Sequence, residues 1–182
     1  IEVELGQQII QVYALPQDRV HVDSTTAALY HEPEGNPLVE FGQSKDHRPD
    51  LAQFKVMMSS LGPFGLPLAT LVVSGNRADD GLYLPAIEQS RQVLQRRGLL
   101  YIGDSKMEAL HTRAHLVAGG DYYLTPLSSK GTQGKLLMEL VAAGLTQEQE
   151  LVDVFRQPVY EQEPELIAQG YETTRWQEAV VA

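Results

Sequence analysis

Two aspartates carry most of the chemistry that this chain offers: Asp23 in VHVDSTT and Asp104 in YIGDSKM. Asp23 follows Val20 and Val22, whose alternation marks a half-buried strand, and Asp104 closes the short apolar run LLYIGD. If those runs are neighbouring strands of one sheet, the two carboxylates converge although they lie far apart in sequence. Carboxylates held together repel, and a divalent cation is the simplest remedy. Mg2+ or Mn2+ takes oxygen ligands and keeps several waters. Two such ions about 3.5–4 Å apart activate an attacking hydroxyl and stabilise the leaving oxygen in phosphoryl transfer. Taken singly, an aspartate at a strand end is more often a helix cap or turn residue. Ser24, Thr25 and Thr26 after Asp23 serve equally as local hydrogen-bonding groups.

The elements that must position this pair read as a β-rich first half followed by alternating β and α. Arg19 to Leu29 opens as a strand, and HEPEGNP after it is turn chemistry. Leu51 to Leu61 and Leu66 to Gly75 are apolar runs joined by GPFG, a natural hairpin. Asp79 or Asp80 then caps a helix with Pro85 near its start. Leu84, Ile87 and Leu94 form its inner face, and Gly98 ends it. LLYIGD suits a central parallel strand covered on both faces. Met107, Leu110, Ala114 and Val117 recur at helical spacing up to Gly119-Gly120, and DYYLTPL is a fifth strand. Two further helices are expected at about 133–143 and 146–156. The order β-β-β-α-β-α-β-α implies an α/β fold, a mixed five-stranded sheet with helices on its faces, whose functional side chains gather where strands end.

Bulk composition narrows the class. A chain of 182 residues with 43% hydrophobic and 21% charged residues holds one sizeable domain, or one plus part of another. The lack of cysteine excludes disulfides and thiolate metal sites and makes a reducing cytoplasm the default compartment. IEVELGQQIIQVY has neither the basic nor the long apolar region of a signal peptide, and no window approaches a membrane span. A net charge of −10 and a pI near 4.9 count against a module that works by neutralising phosphates. The acids are unevenly spread: Glu148, Glu150, Asp153, Glu161, Glu163, Glu165 and Glu172 face one base, Arg156, in that stretch. Any contact with nucleic acid is therefore expected elsewhere. The Ile1 start and the apolar VVA end lead us to expect a piece of a longer protein.

Five strings, VHVDSTT, GQSKDHRPDLAQFKVMM, VVSGNRADD, YIGDSKM and GGDYYLTPL, fall in the order and context of the DDE insertion-sequence transposases. The chain most resembles the branch whose catalytic domain is interrupted by a β-rich insertion before the final glutamate. The resemblance covers about residues 15–130, and KDHRPDL is its most specific piece. It implies a ribonuclease-H-like catalytic core over 1–157, partial, with the start of the inserted β-rich segment at 158–182. It implies that Asp23 and Asp104 are the first two catalytic, metal-holding members of the triad, with two Mg2+ or Mn2+ ions, DNA at transposon ends and target as substrate, and a homodimer on the DNA. The activity so implied is DNA strand cleavage and strand transfer. The third member should be a glutamate well downstream, on a helix carrying tyrosine, arginine and lysine. GYETTRWQE has the wrong spacing for that helix, so Glu178 is not assigned, and the chain by itself is expected to be weakly active or inactive.

Supporting residues carry two readings each. Lys45, His47 and Arg48 in KDHRPDL, and Lys106 after Asp104, are candidate DNA contacts through phosphate. Equally, Arg48 and Asp50 can fix the loop, stiffened by Pro49, and Lys106 can simply be solvated. Asn76 reads as a turn residue, and Tyr122 and Tyr123 as strand residues. His111 and His115 at helical i, i+4 spacing lack a third ligand and read as surface residues. His21 faces away from Val20 and Val22. Two other readings remain at this stage: a ribonuclease-H-like nuclease without strand transfer, and an inactive transposase remnant that folds without catalysis.

Overall fold

The computed structural model describes residues 1–30, 32–146, 148–156 and 163–174. The sheet is organised around β1 (Arg19–Leu29), whose residues alternate as the sequence pattern requires. Val20, Val22, Ser24 and Thr26 are buried, while Arg19, His21, Asp23 and Thr25 are exposed. β2 (Ala52–Leu61) pairs antiparallel with β1, and β3 (Leu66–Ser74) continues the meander through the GPFG turn. On the other side of β1 lies β4 (Leu100–Gly103), parallel to it, and then β5 (Tyr122–Leu124), parallel to β4. Among the described residues this gives a five-stranded sheet in the order β3-β2-β1-β4-β5. That order, with only β2 running against the rest, is the ribonuclease-H-like arrangement.

The helices α1 (Glu2–Val12), α2 (Tyr83–Leu94) and α3 (Leu110–Ala118) share one core with the sheet. Ile10, Ile87, Val93 and Leu116 close over Val20, Val22, Met57, Leu61 and Tyr101. Each such side chain contributes about 1.5–3 kcal/mol on burial, which locks the alternation of β1 and leaves Asp23 outward.

Several elements differ from the sequence expectation. α1 was not anticipated; its buried stripe is narrow, Gly6 and Ile10, and Gly6 is small because a Cβ there would come within 2.9 Å of Val93. Neither Asp79 nor Asp80 caps α2 through its side chain. A 3-10 turn (Asp80–Leu82) precedes the helix, and the Asp79 carboxylate is drawn to Lys55 instead. Leu84 is only partly buried, and the helix stops at Leu94, with Gln95 left-handed (φ 50) and Gly98 (φ 77) turning into β4. In α3, Leu110 and Val117 are 43% and 61% exposed, whereas Thr112 and Leu116 are fully buried. The expected phase included Met107, which packs into the core from the turn before the helix.

The chain divides into two compact units that part between Pro126 and Leu127. The second contains α4 (Gly131–Leu145), where a helix was expected, and a hairpin of β6 (Val152–Arg156) with β7 (Glu165–Gly170). β6 corrects the helix expected at 146–156. Val152 and Val154 alternate with Asp153, and the backbone finds ladder partners in β7, which outweighs the helical propensity of the glutamates and glutamines before it. Among the described residues no helix is long and apolar enough to cross a membrane.

Candidate metal and nucleic-acid site

Parallel pairing sets Arg19 opposite Leu100 and runs in register to Val22 opposite Gly103. Asp23 and Asp104 are the next residues along the two strands. There β4 ends, while β1 continues to Leu29 alongside β2. Beyond Asp23, β1 therefore loses its parallel neighbour, and both aspartates stand at the carboxyl end of β4, the end at which ligands enter open α/β sheets. Both are exposed there.

Each carboxylate is held through one oxygen. Asp23 Oδ1 accepts the backbone N–H of Ser24 (2.7 Å) and lies 3.5 Å from Lys45 Nζ, which also donates to the Ser24 carbonyl. Asp104 Oδ1 accepts the hydroxyl of Tyr83 (2.5 Å) and the backbone N–H of Lys106 (2.8 Å). The Lys106 bond makes Asp104 a turn former as well, and Thr125 Oγ1 donates to its carbonyl (2.6 Å) from the end of β5. Gly103 before it is tight: a Cβ there would meet Met107 Sδ at 2.7 Å and its Cβ at 3.0 Å. A side chain at 103 would displace Met107 and the turn carrying Asp104.

Tyr83 and Lys55 are the residues that sequence reasoning missed. The Tyr83 side chain is fully buried at the start of α2. Burial first, then the bond to Asp104 and the charges of Asp104, Asp23 and Asp79, push its phenol well above the ordinary value, so it stays protonated and donates. Lys55 is buried on β2, with Nζ 2.8 Å from Asp79 Oδ1 and 2.6 Å from the Arg77 carbonyl. Its signal was available: position 55 keeps step with Met57, Ser59 and Leu61, an inward face on which a lysine needs a partner.

The other candidates part company. Lys45 is brought to Asp23. Lys106 meets Asp104 through its backbone. Arg48 clamps Asp50 with Nε and Nη2 at 2.8 and 2.7 Å and lies 5.7 Å over the Tyr30 ring, so its loop-fixing arrangement is present. Its guanidinium pKa is raised by Asp50 and the Asp50 carboxyl is lowered in turn. His47 is exposed in a left-handed turn conformation (φ 57). His115, read as a surface residue, is half-buried, with Nε2 at 2.6 Å from Glu88 and 2.8 Å from Arg91. Arg175 and Glu178 lie outside the described residues.

Among the described residues no three His, Cys, Asp or Glu side chains stand close enough to hold an ion by themselves. The donor set nevertheless fits a hard cation. Mg2+ is commonly bound by one or two carboxylates, with waters and substrate phosphates completing its shell. Asp23 and Asp104 supply two all-oxygen groups at one end of the β1–β4 pair, and their protein hydrogen bonds described above fall on Oδ1.

No family model matches the chain, and no curated protein does. Solved structures similar to it include a piggyBac transposase synaptic complex with hairpin DNA, at TM-score 0.49 and 8% identity over 65% of this chain and 25% of that one. A Mos1 transposase paired-end complex with left transposon end follows, at TM-score 0.41 and 8% identity over 81% and 46%. A Mos1 mariner paired end complex with Mn has TM-score 0.39 and 12% identity over 81% and 46%. The chain thus spans from a quarter to just under half the length of these proteins.

Proposed function

We propose that this chain is part of the catalytic core of a DNA transposase, with Asp23 and Asp104 as two of its metal-holding carboxylates. The observation that carries the proposal is the β1–β4 register, which makes Asp23 and Asp104 successive to the same strand pair at the point where β4 stops. The five sequence strings resembling DDE transposases support it, since Asp23 and Asp104 are the aspartates within two of them.

In this reading Asp23 and Asp104 would hold Mg2+ or Mn2+, which when bound lowers the cost of charge at the attacking and leaving oxygens of a phosphodiester. Asp104 is kept in place by Tyr83 and the Lys106 N–H, and Asp23 by the Ser24 N–H. Lys45 is the cation nearest to Asp23 and would exchange that contact for a DNA phosphate. The rest of the reading, a dimer on transposon ends with a third carboxylate, a glutamate well downstream on a helix, and the inserted β-rich segment following from about 158, rests on the resemblance.

Titration of Mn2+ into the chain tests the metal reading. Asp23→Asn and Asp104→Asn should each weaken binding at least about tenfold, since each removes a ligand charge. Equal binding by all three proteins would sink it. In a longer polypeptide that cleaves transposon-end DNA, Asp104→Asn should abolish cleavage, and retention of the wild-type rate would remove Asp104 from the triad.

A further inference from the structure

We infer that Tyr83 is a positioning residue for Asp104, an inference that rests on Asp104 being a metal-holding carboxylate. The buried ring brings its hydroxyl to Asp104 Oδ1 at 2.5 Å, and the Lys106 N–H reaches the same oxygen at 2.8 Å. Two donors on one oxygen fix the plane of the carboxylate and leave its other oxygen for a ligand. An O–H to carboxylate bond is charge-assisted and about twice as strong as a neutral one.

The phenol is itself braced from the sheet. Lys55 on β2 holds Asp79 at 2.8 Å, and the Leu82 N–H donates to the Asp79 carbonyl at 2.9 Å, closing the 3-10 turn that delivers Tyr83. The brace thus runs from β2 through Asp79 and Tyr83 to the tip of β4. Partners that orient ligating side chains in this way typically cost about 10–100-fold in metal affinity when removed.

The test compares wild type, Tyr83→Phe and Ser90→Ala. Ser90 is a control from the same helix: its hydroxyl is buried and bonded to Ser59 Oγ at 2.6 Å, and it makes no bond to Asp104. Two readouts are taken, the Mn2+ dissociation constant and, in metal-free protein, the 13C resonance of the Asp104 carboxyl. Tyr83→Phe should weaken Mn2+ binding roughly tenfold and move the Asp104 resonance, while Ser90→Ala changes neither. Wild-type affinity in Tyr83→Phe, or an Asp104 resonance that does not move, would overturn the inference. If wild type itself binds no Mn2+ at this site, the metal reading fails, and the metal-free resonance still decides whether Tyr83 fixes the carboxylate.

Discussion

Lys45 Nζ sits 3.5 Å from Asp23 Oδ1, reaching from the loop before β2 across to the middle of β1. The pair is exposed on both sides, and an exposed pair contributes only about 0–1 kcal/mol. With Asp23 proposed as a metal-holding carboxylate, its interest is therefore in what it would block rather than in what it stabilises. An ammonium and a divalent cation compete for the same carboxylate, and they repel one another. Lys45→Met should strengthen Mn2+ binding by a few-fold while weakening DNA binding about equally for all sequences. Calorimetry reads the first effect. The second should appear as a salt dependence of DNA binding reduced by about one ion. A variant that loses Mn2+ affinity would show that Lys45 supports the metal site instead of competing with it.

Stability should be most sensitive at a different pair. Arg91 donates to Asp121 Oδ2 through Nε (3.0 Å) and Nη2 (2.7 Å), and Asp121 Oδ1 accepts the Leu99 N–H at 3.1 Å. Both residues are buried, so this contact ties α2 to the entries of β4 and β5. Removing one partner takes the main counter-ion from a buried charge, with Glu88 still paired to Arg91 and Arg97 Nη1 still 3.9 Å from Asp121. Asp121→Ala and Arg91→Leu should therefore each cost about 3 kcal/mol in urea denaturation. The double variant should cost less than the sum of the two, as residues in one network do. Full additivity would show that the two charges act independently.

The acid limb of stability has an assignable contributor. Burial acts to raise the Glu88 carboxyl, but hydrogen bonds from His115 and Arg91 outweigh it and the net shift is downward. A carboxyl depressed in the folded state gives stability that is fully present above its ordinary value of 4.5 and is lost as pH falls through the lower folded value. Glu88→Gln should therefore flatten the fall in melting temperature below about pH 4.5, leaving the curve above that pH offset but parallel. An unchanged acid limb would place the pH sensitivity in other carboxylates, of which Asp18 and Asp50 are also depressed by their arginine neighbours.

The sheet, and the places of Asp23 and Asp104 on its strands, were legible because they rest on short-range patterns. Val20 and Val22 alternate, GPFG makes a hairpin the natural connection, and LLYIGD suits a central parallel strand. The register that makes Asp23 and Asp104 neighbours is a tertiary fact, reached from sequence only by assuming that the two strands adjoin. Tyr83 was not legible for the same reason. It opens α2 directly after the turn where capping chemistry drew attention to Asp79 and Asp80, and its partner is twenty-one positions away. β6 was missed because glutamate and glutamine before it favour helix, whereas its ladder with β7 depends on a strand beyond Arg156.

α3 shows how a phase error arises, and it yields a sharp pair of outcomes. Counting from Met107 puts Leu110, Ala114 and Val117 on the inner face, yet the helix begins at Leu110, and Met107 enters the core from a turn. The buried stripe is then Thr112 and Leu116, one i, i+4 step. Leu116 has no exposed surface and belongs to the common core, so Leu116→Ala removes packed methyl groups and leaves a cavity. It should cost about 2–5 kcal/mol. Val117 is 61% exposed, and Val117→Ala should change stability by no more than about 0.5 kcal/mol. Urea denaturation of the two variants, one residue apart, reads the phase directly: a reversal of the two values would restore the sequence-derived face and displace Leu116 from the core.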